Sequence, residues 1–285
     1  MSIRAITLPV RGDGKGNNVL AHAAVLARRF GAHVTVLHCR PRPADLMPYG
    51  VPIPGFMREQ ILGSASKLAD EEERTLHAEF LDLVARMGLV NGVAQPGVAS
   101  ASWREASGKQ IDVLKLHGRL ADLIMVPKPD RDRNLGANTL KSALFAGGRP
   151  VMMCPPRDGV PETLGERVAI GWNGSVEASR AAALTMPMIE SAGEVTVLTA
   201  GEEVHGATAE DFIASLALRG VEGRLVQFTA RGGSVGRDLL HHAAQAGADT
   251  LIMGAYGDSH ERETVFGGNT QAVVDHATMP VVLVH

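Results

Sequence analysis

Val34-Thr35-Val36-Leu37 returns 161 residues later as Val195-Thr196-Val197-Leu198, and both copies sit in the same setting. Each is preceded by an Ala-rich helical segment, His22 to Phe30 in one case and Ser179 to Ile189 in the other. Each helix is preceded by a short apolar strand running into a Gly-rich turn, Arg4-Ala5-Ile6-Thr7-Leu8-Pro9 and Arg167-Val168-Ala169-Ile170-Gly171-Trp172. Self-similarity of this kind marks two copies of one folding unit. Farther along, Ala121-Asp122-Leu123-Ile124-Met125 matches Ala248-Asp249-Thr250-Leu251-Ile252-Met253, and Arg149-Pro150-Val151-Met152-Met153 matches Met279-Pro280-Val281-Val282-Leu283. The offset there has fallen to about 130, so the first copy holds about 30 extra residues between its second and fourth strands. Pro41 to Arg58 supplies much of this, with five prolines and two glycines in eighteen residues, and reads as a loop or lid. Ser64 to Met87 follows as a long amphipathic helix with Asp70 to Glu73 on a solvated face.

Within each copy strands and helices alternate, and strands such as Leu251-Ile252-Met253 and Val281-Val282-Leu283-Val284 are apolar at consecutive positions. Such strands are buried on both faces, which is the pattern of a parallel sheet covered by right-handed crossover helices. In the second copy Val235, Leu239, Ala243 and Ala246 give a covering helix its buried stripe, with His241 and His242 at its rim. The expected fold class is α/β, with two tandem doubly wound parallel five-stranded sheets carrying helices on both faces. Pro155-Pro156-Arg157-Asp158-Gly159-Val160-Pro161 reads as the linker, which divides the chain into domains 1–156 and 164–285. A chain of 285 residues also exceeds the size at which one core stops growing.

The composition narrows the function classes. Lys and Arg number 28 against 31 Asp and Glu, a net charge of −3, which argues against a nucleic-acid surface. At 4% aromatic residues, stacking platforms are scarce. No stretch approaches the apolar length of a membrane span. Met1 to Leu8 runs into an alternating strand pattern, not a secretory signal, so a cytoplasmic location is expected. Cys39 and Cys154 each end an apolar run and read as buried thiols.

In doubly wound sheets ligands sit outside the carboxyl ends of the strands. Two loops of the second copy qualify: Gly171-Trp172-Asn173-Gly174-Ser175, and Gly254-Ala255-Tyr256-Gly257 continuing to Gly267-Gly268-Asn269-Thr270. Glycines at 254 and 257 allow tight turns and close approach of backbone N–H groups to a ligand. A helix beginning near Asn269 or Thr270 would turn its free N–H groups and positive dipole end to the same place, which suits phosphate.

The spacing Gly254, two residues, Gly257, nine residues, Gly267, placed after a fourth strand and within a duplicated chain, resembles the universal stress protein family, and the chain looks like a tandem member. The resemblance implies a Rossmann-like, adenine nucleotide alpha hydrolase-like fold, a role in stress response, and ATP or ADP with Mg held by Gly171, Trp172, Asn173, Gly254, Ala255, Gly257, Gly267, Gly268, Asn269 and Thr270. It also implies a homo-oligomer, with the final apolar strands Val151 to Cys154 and Val281 to Val284 pairing with each other and with another copy. Two departures stand out. Gly268 occupies the place of the family's hydroxyl residue, leaving that contact to backbone amides or Thr270, and Asn173 occupies the place of an Asp.

The first copy reads Val126-Pro127-Lys128-Pro129 where the family has its glycines, and proline removes an amide donor, so its site is expected to be lost. What remains there is Gly12-Asp13-Gly14-Lys15-Gly16, which lacks the full spacing of a P-loop, and the basic stretch Lys128 to Arg133. No Gly-x-Ser-x-Gly, His-Glu-x-x-His or Cys-x-x-Cys motif occurs; His260-Glu261 meets Thr264 where a second histidine would stand. His205, His241, His242, His276 and His285 show no metal-ligand spacing, and Arg262 reads first as a surface residue and second as a phosphate contact. The expectation is therefore a non-enzyme, with slow ATP hydrolysis at most. Its alternative is a nucleotide-free interaction module acting through domain pairing and protein partners not identified by sequence.

Overall fold

The computed structural model describes residues 2–10, 15–40, 42, 54–133, 135–156, 161–201, 206–230, 234–255 and 268–285. The first half runs β1 (Ala5–Val10), α1 (Gly16–Phe30), β2 (His33–Arg40), α2 (Gly55–Arg86), β3 (Val90–Asn91), β4 (Ser100–Ser107), α3 (Gln110–His117), β5 (Leu123–Pro127), α4 (Ala137–Gly147) and β6 (Val151–Cys154). The second runs β7 (Arg167–Gly171), α5 (Val176–Leu184), α6 (Met186–Ser191), β8 (Glu194–Ala200), α7 (Ala209–Ala217), β9 (Gly223–Phe228), α8 (Val235–Gln245), β10 (Thr250–Gly254), α9 (Gly268–His276) and β11 (Val281–Val284).

The repeat is visible in its hydrogen bonds. Asp122 Oδ2 accepts from the amides of Arg4 and Ala5 at 2.7 and 3.0 Å, just where the first strand begins. Asp249 does the same for Gly165, Glu166 and Arg167 at 2.7 to 3.1 Å. At the other end of the paired strands, the amide of Lys128 bonds Cys154 O and that of Ala255 bonds Val284 O, both at 2.7 Å. The halves differ where proline intervenes: Pro187 divides the second copy's helix into α5 and α6, because it has no N–H for the helical ladder.

Two tandem sheets were expected, and they are found joined edge to edge. The strand order is β3-β4-β2-β1-β5-β6-β11-β10-β7-β8-β9, parallel throughout except for the antiparallel seam between β6 and β11. The seam register is Val281 to Met153, Val282 to Met152 and Leu283 to Val151. Both final strands now have a neighbour on each side, so the pairing of another copy through them is excluded. An unpaired apolar edge would expose ladder groups, and the partner copy inside the same chain is always at hand.

Helices α1, α2, α5, α6 and α7 cover one face through Leu20, Leu83, Ala181, Ile189 and Leu216. Helices α3, α4, α8 and α9 cover the other through Leu114, Leu140, Leu239 and Val273. At the seam Met152 and Val282 enter the first core while Met153 and Leu283 enter the second, so both cores are continuous across the halves. Cys39 and Cys154 are buried free thiols, and burial pushes the Cys154 thiol up. Among the described residues no helix is long and apolar enough to cross a membrane.

The insertion departs from its sequence reading. Helix α2 begins at Gly55, so Gly55 to Arg58 are helical and not loop; Pro41 and residues 43–53 lie outside the described residues. Asp70 and Glu73 do not simply face solvent. They pair with Arg40 at the end of β2, joined there by Glu105 of β4 at 3.5 Å, which ties α2 to the sheet.

His33 and His38 point into opposite sides of β2, and burial holds both imidazoles below the usual histidine value, with Glu72 and Glu105 partly opposing this at His38. The unfolded chain therefore binds more protons than the native one just below the ordinary value, and stability falls as pH drops through that window. The urea midpoint is expected to be lower at pH 5 than at pH 7.5, and His33→Asn should lose less between the two. An identical loss in the variant would remove His33 as a source.

Candidate functional site

The carboxyl ends of β7 and β10 are closed in by three helix starts. After Gly171, Trp172 continues the β7 to β8 pairing and is buried, its ring stacked on Phe212 at 4.0 Å and its Nε1 donating to Ala207 O at 3.0 Å. The indole is thus part of the core under α7 and is not free to stack on a base. Asn173 is exposed, and its Oδ1 accepts from the Ser175 amide at 3.2 Å in a local turn that Gly174 completes at φ +73°. Ser175 then caps α5, its Oγ accepting from Ala178 N.

Gly254 ends β10 against that same helix. A Cβ there would lie 2.6 Å from Glu177 C and 2.7 Å from Ala178 N, so the glycine is required by the first turn of α5. Ala255 is 1% exposed and bonded to β11, which removes its side chain from the mouth of the site. Gly257 and Gly267 lie outside the described residues, as do His205, His260, Glu261 and Arg262. Gly268 and Asn269 are exposed at the start of α9, while Thr270 is turned inward. Among the described residues, a Cβ on Gly268 would meet nothing within 4 Å.

Ser234 and Gly236 were not singled out from sequence, yet they set the position of this helix start. Ser234 precedes α8, and its Oγ lies 3.4 Å from Asn269 Oδ1. A Cβ on Gly236 would stand 2.2 Å from Asn269 O, so the first turns of α8 and α9 touch only because residue 236 is glycine. The available signal was a Ser two residues before a Gly at the head of a helical stripe, an N-cap pattern. The structure therefore brings together Gly171, Asn173, Gly254, Gly268 and Asn269 at one end of the sheet and sends Trp172, Ala255 and Thr270 into the packing.

In the first half the basic stretch reaches across to the other half. Lys128 Nζ donates to Ala277 O at 2.9 Å, just past α9, where a cation also favours the helix dipole. Burial pushes its ammonium below the usual lysine value, and Asp275 opposes this. Arg131 pairs with Asp275 at 2.8 Å, and Asp130 pairs with Lys15 at 3.1 Å. Residues 11–14 of the glycine-rich turn lie outside the described residues.

Residues 173–285 match the model described as the Universal stress protein family. Among solved structures the chain is similar to a universal stress protein from Archaeoglobus fulgidus DSM 4304, with 16% identity, coverage of 98% of this chain and 97% of that one, and a TM-score of 0.69. It is also similar to a functionally unknown protein from Pseudomonas aeruginosa PAO1, at 16% identity, 99% and 92% coverage, and a TM-score of 0.55. These identities speak for the fold. No curated protein matches the chain.

Proposed function

We propose that this chain, whose second half matches the universal stress protein family and whose whole length follows the fold of a solved member, is a cytoplasmic stress-response protein binding ATP or ADP in that half, with no dedicated catalytic chemistry at the nucleotide. The observation that supports the reading best is the contact between the first turns of α8 and α9, with the first turn of α5 packed on Gly254 at the end of β10, all at the carboxyl end of the sheet. Free backbone N–H groups at helix starts attract phosphate by hydrogen bonding and by the dipole together. Gly268 and Asn269 would face the phosphates, and Asn173 would meet the nucleotide from the opposite loop. Magnesium, when bound, would offset phosphate charge.

Native mass spectrometry of freshly purified protein tests this directly, with the denatured extract analysed for released nucleotide. One ATP or ADP per chain is expected, from the second half. Gly268→Ser should bind ATP about tenfold or more tightly than wild type, because a Cβ there meets none of the described residues within 4 Å and a hydrogen bond to a charged group contributes roughly 1.5–3 kcal/mol. A protein that stays empty with ATP and magnesium, in both wild-type and Gly268→Ser forms, would sink the reading.

One observation favours the alternative of an interaction module. Helix α2 exposes Phe56 at 72% and Leu68 at 67%, with Met57 and Ile61 also exposed, so contacts with partners or another copy would lie there and not on the final strands. An empty protein in the mass spectrum would move the search to that helix.

A further inference from the structure

Strands β2 and β4 hold His33 between two serines of the first half. Its Nδ1 lies 2.8 Å from Ser100 Oγ and its Nε2 lies 2.8 Å from Ser102 Oγ. His33 is in register with Ser100, and Ser102 is the next residue on the same face of β4. One neutral tautomer makes all three contacts at once: Ser100 Oγ gives its single hydrogen to Val98 O, 3.3 Å away, a carbonyl that can only accept, and itself accepts from Nδ1–H. A neutral imidazole protonated at Nδ1 has a bare Nε2, so Ser102 must donate its hydroxyl hydrogen there. Burial keeps the ring neutral at pH 7 by lowering its pKa.

The two serines differ in access. Ser100 is fully buried, whereas Ser102 lines a cavity of about 670 Å³ together with His33, Phe80, Trp103 and Arg104. That volume is in the range of small-molecule sites. The backbone beside Ser102 is also available. Strand β3 bonds β4 through Ala99 O and Ala101 O and then ends, and no strand pairs with β4 on that side beyond Ala101 among the described residues. In a parallel ladder alternate residues turn their amides the same way, so the Trp103 N–H, in phase with Ala101, faces the open edge. A nucleophile followed by a free amide is the arrangement that stabilises an acyl oxyanion.

The geometry points to an esterase site in the first half, with Ser102 as nucleophile, His33 as general base and Ser100 as the positioning residue, for a small carboxylic ester with an apolar acyl group. Ser102 Oγ bonds to the ester carbonyl carbon as its proton passes to His33 Nε2, and the resulting oxyanion is turned to the Trp103 amide. The bond from carbon to the alkoxy oxygen breaks, and the leaving alcohol takes the proton from Nε2. Water then attacks the acyl-Ser102 ester, giving one proton to Nε2, which returns it to Ser102 Oγ as the acid leaves. The sum is ester plus water to acid plus alcohol. Five strands separate β4 from β10, so this site and the nucleotide site stand or fall independently.

The test uses the full chain with an alkyl fluorophosphonate, read by intact mass and peptide mapping, and with p-nitrophenyl butyrate for turnover. One adduct per chain on Ser102 is expected, with none in Ser102→Ala, which leaves the ring and the strands in place. His33→Ala should slow labelling by about 100-fold or more. Ser100→Ala should lower the maximal labelling rate while leaving the half-saturating reagent concentration unchanged, which mere loosening of the strands would not do. An unlabelled wild type, an adduct that persists in Ser102→Ala, or wild-type labelling in folded His33→Ala would each overturn the proposal.

Discussion

Gly236→Val is expected to lower the thermal midpoint by roughly 5–10 °C and to abolish retention of nucleotide. The first atom added, Cβ, already falls 2.2 Å from Asn269 O and 3.2 Å from Val273 Cγ2. The obstacle is backbone and cannot rotate away, so α8 and α9 must separate. Replacing a helical glycine ordinarily stabilises by up to about 1 kcal/mol, but overpacking costs about 1–3 kcal/mol, and valine adds two further methyl groups to the same contact. At roughly 2–4 °C per kcal/mol for a chain of this size, the stated shift follows. The loss of nucleotide has a separate cause: α9 would shift its first turn, and with it the N–H groups at Gly268 and Asn269 that are proposed to face the phosphates. Differential scanning fluorimetry and native mass spectrometry on one sample check both parts. An unchanged midpoint with unchanged ATP binding would show that the α8 to α9 contact is neither tight nor functional.

Val282→Asp is expected to cost about 3–5 kcal/mol, the usual penalty of an uncompensated buried charge. Val282 is fully buried at the seam, with Ile252 on one side and Met152 on the other. Its side chain enters the apolar core shared by α1 and α5. The consequence should be regional as well as global. Hydrogen exchange measured by mass spectrometry is expected to lose protection at Val151 to Cys154 and Val281 to Val284 before it does so at β1 or β8. A urea midpoint within error of wild type, with protection intact at both final strands, would mean that the seam is not what holds the halves together.

Much of the fold was legible because burial on two faces leaves a trace in every strand. The near-identity of Val34 to Leu37 and Val195 to Leu198, the repeated Ala-Asp before β5 and β10, and the prolines before β6 and β11 located equivalent elements without any knowledge of contacts. Helix α2 was read short at its start because Pro54 and Gly55 look like loop, although proline just before a helix is compatible with its first turn. Asp70 and Glu73 were read as solvated because nothing local announces that Arg40, some 30 residues earlier, comes back to meet them.

The candidate site was legible in location and less so in the role of each residue. A glycine in a sequence states that something approaches the backbone closely, and it does not state what. At Gly254 the neighbour is the first turn of α5, and at Gly236 it is the carbonyl of Asn269. Trp172, placed beside a ligand by the family pattern, has both its ring and its Nε1 occupied by Phe212 and Ala207.

By itself the sequence determined the duplication and the alternation of strand and helix, because these depend on periodicity and on short-range preferences of glycine and proline. Only the tertiary structure decided that β6 and β11 close the two sheets into one, that Lys128 and Arg131 grip α9, and that His33 stands between Ser100 and Ser102. Those are pairings between residues 67 to 149 positions apart, and a pattern of burial specifies that a face or an edge must be covered while leaving its partner to be chosen by the packing of the whole chain.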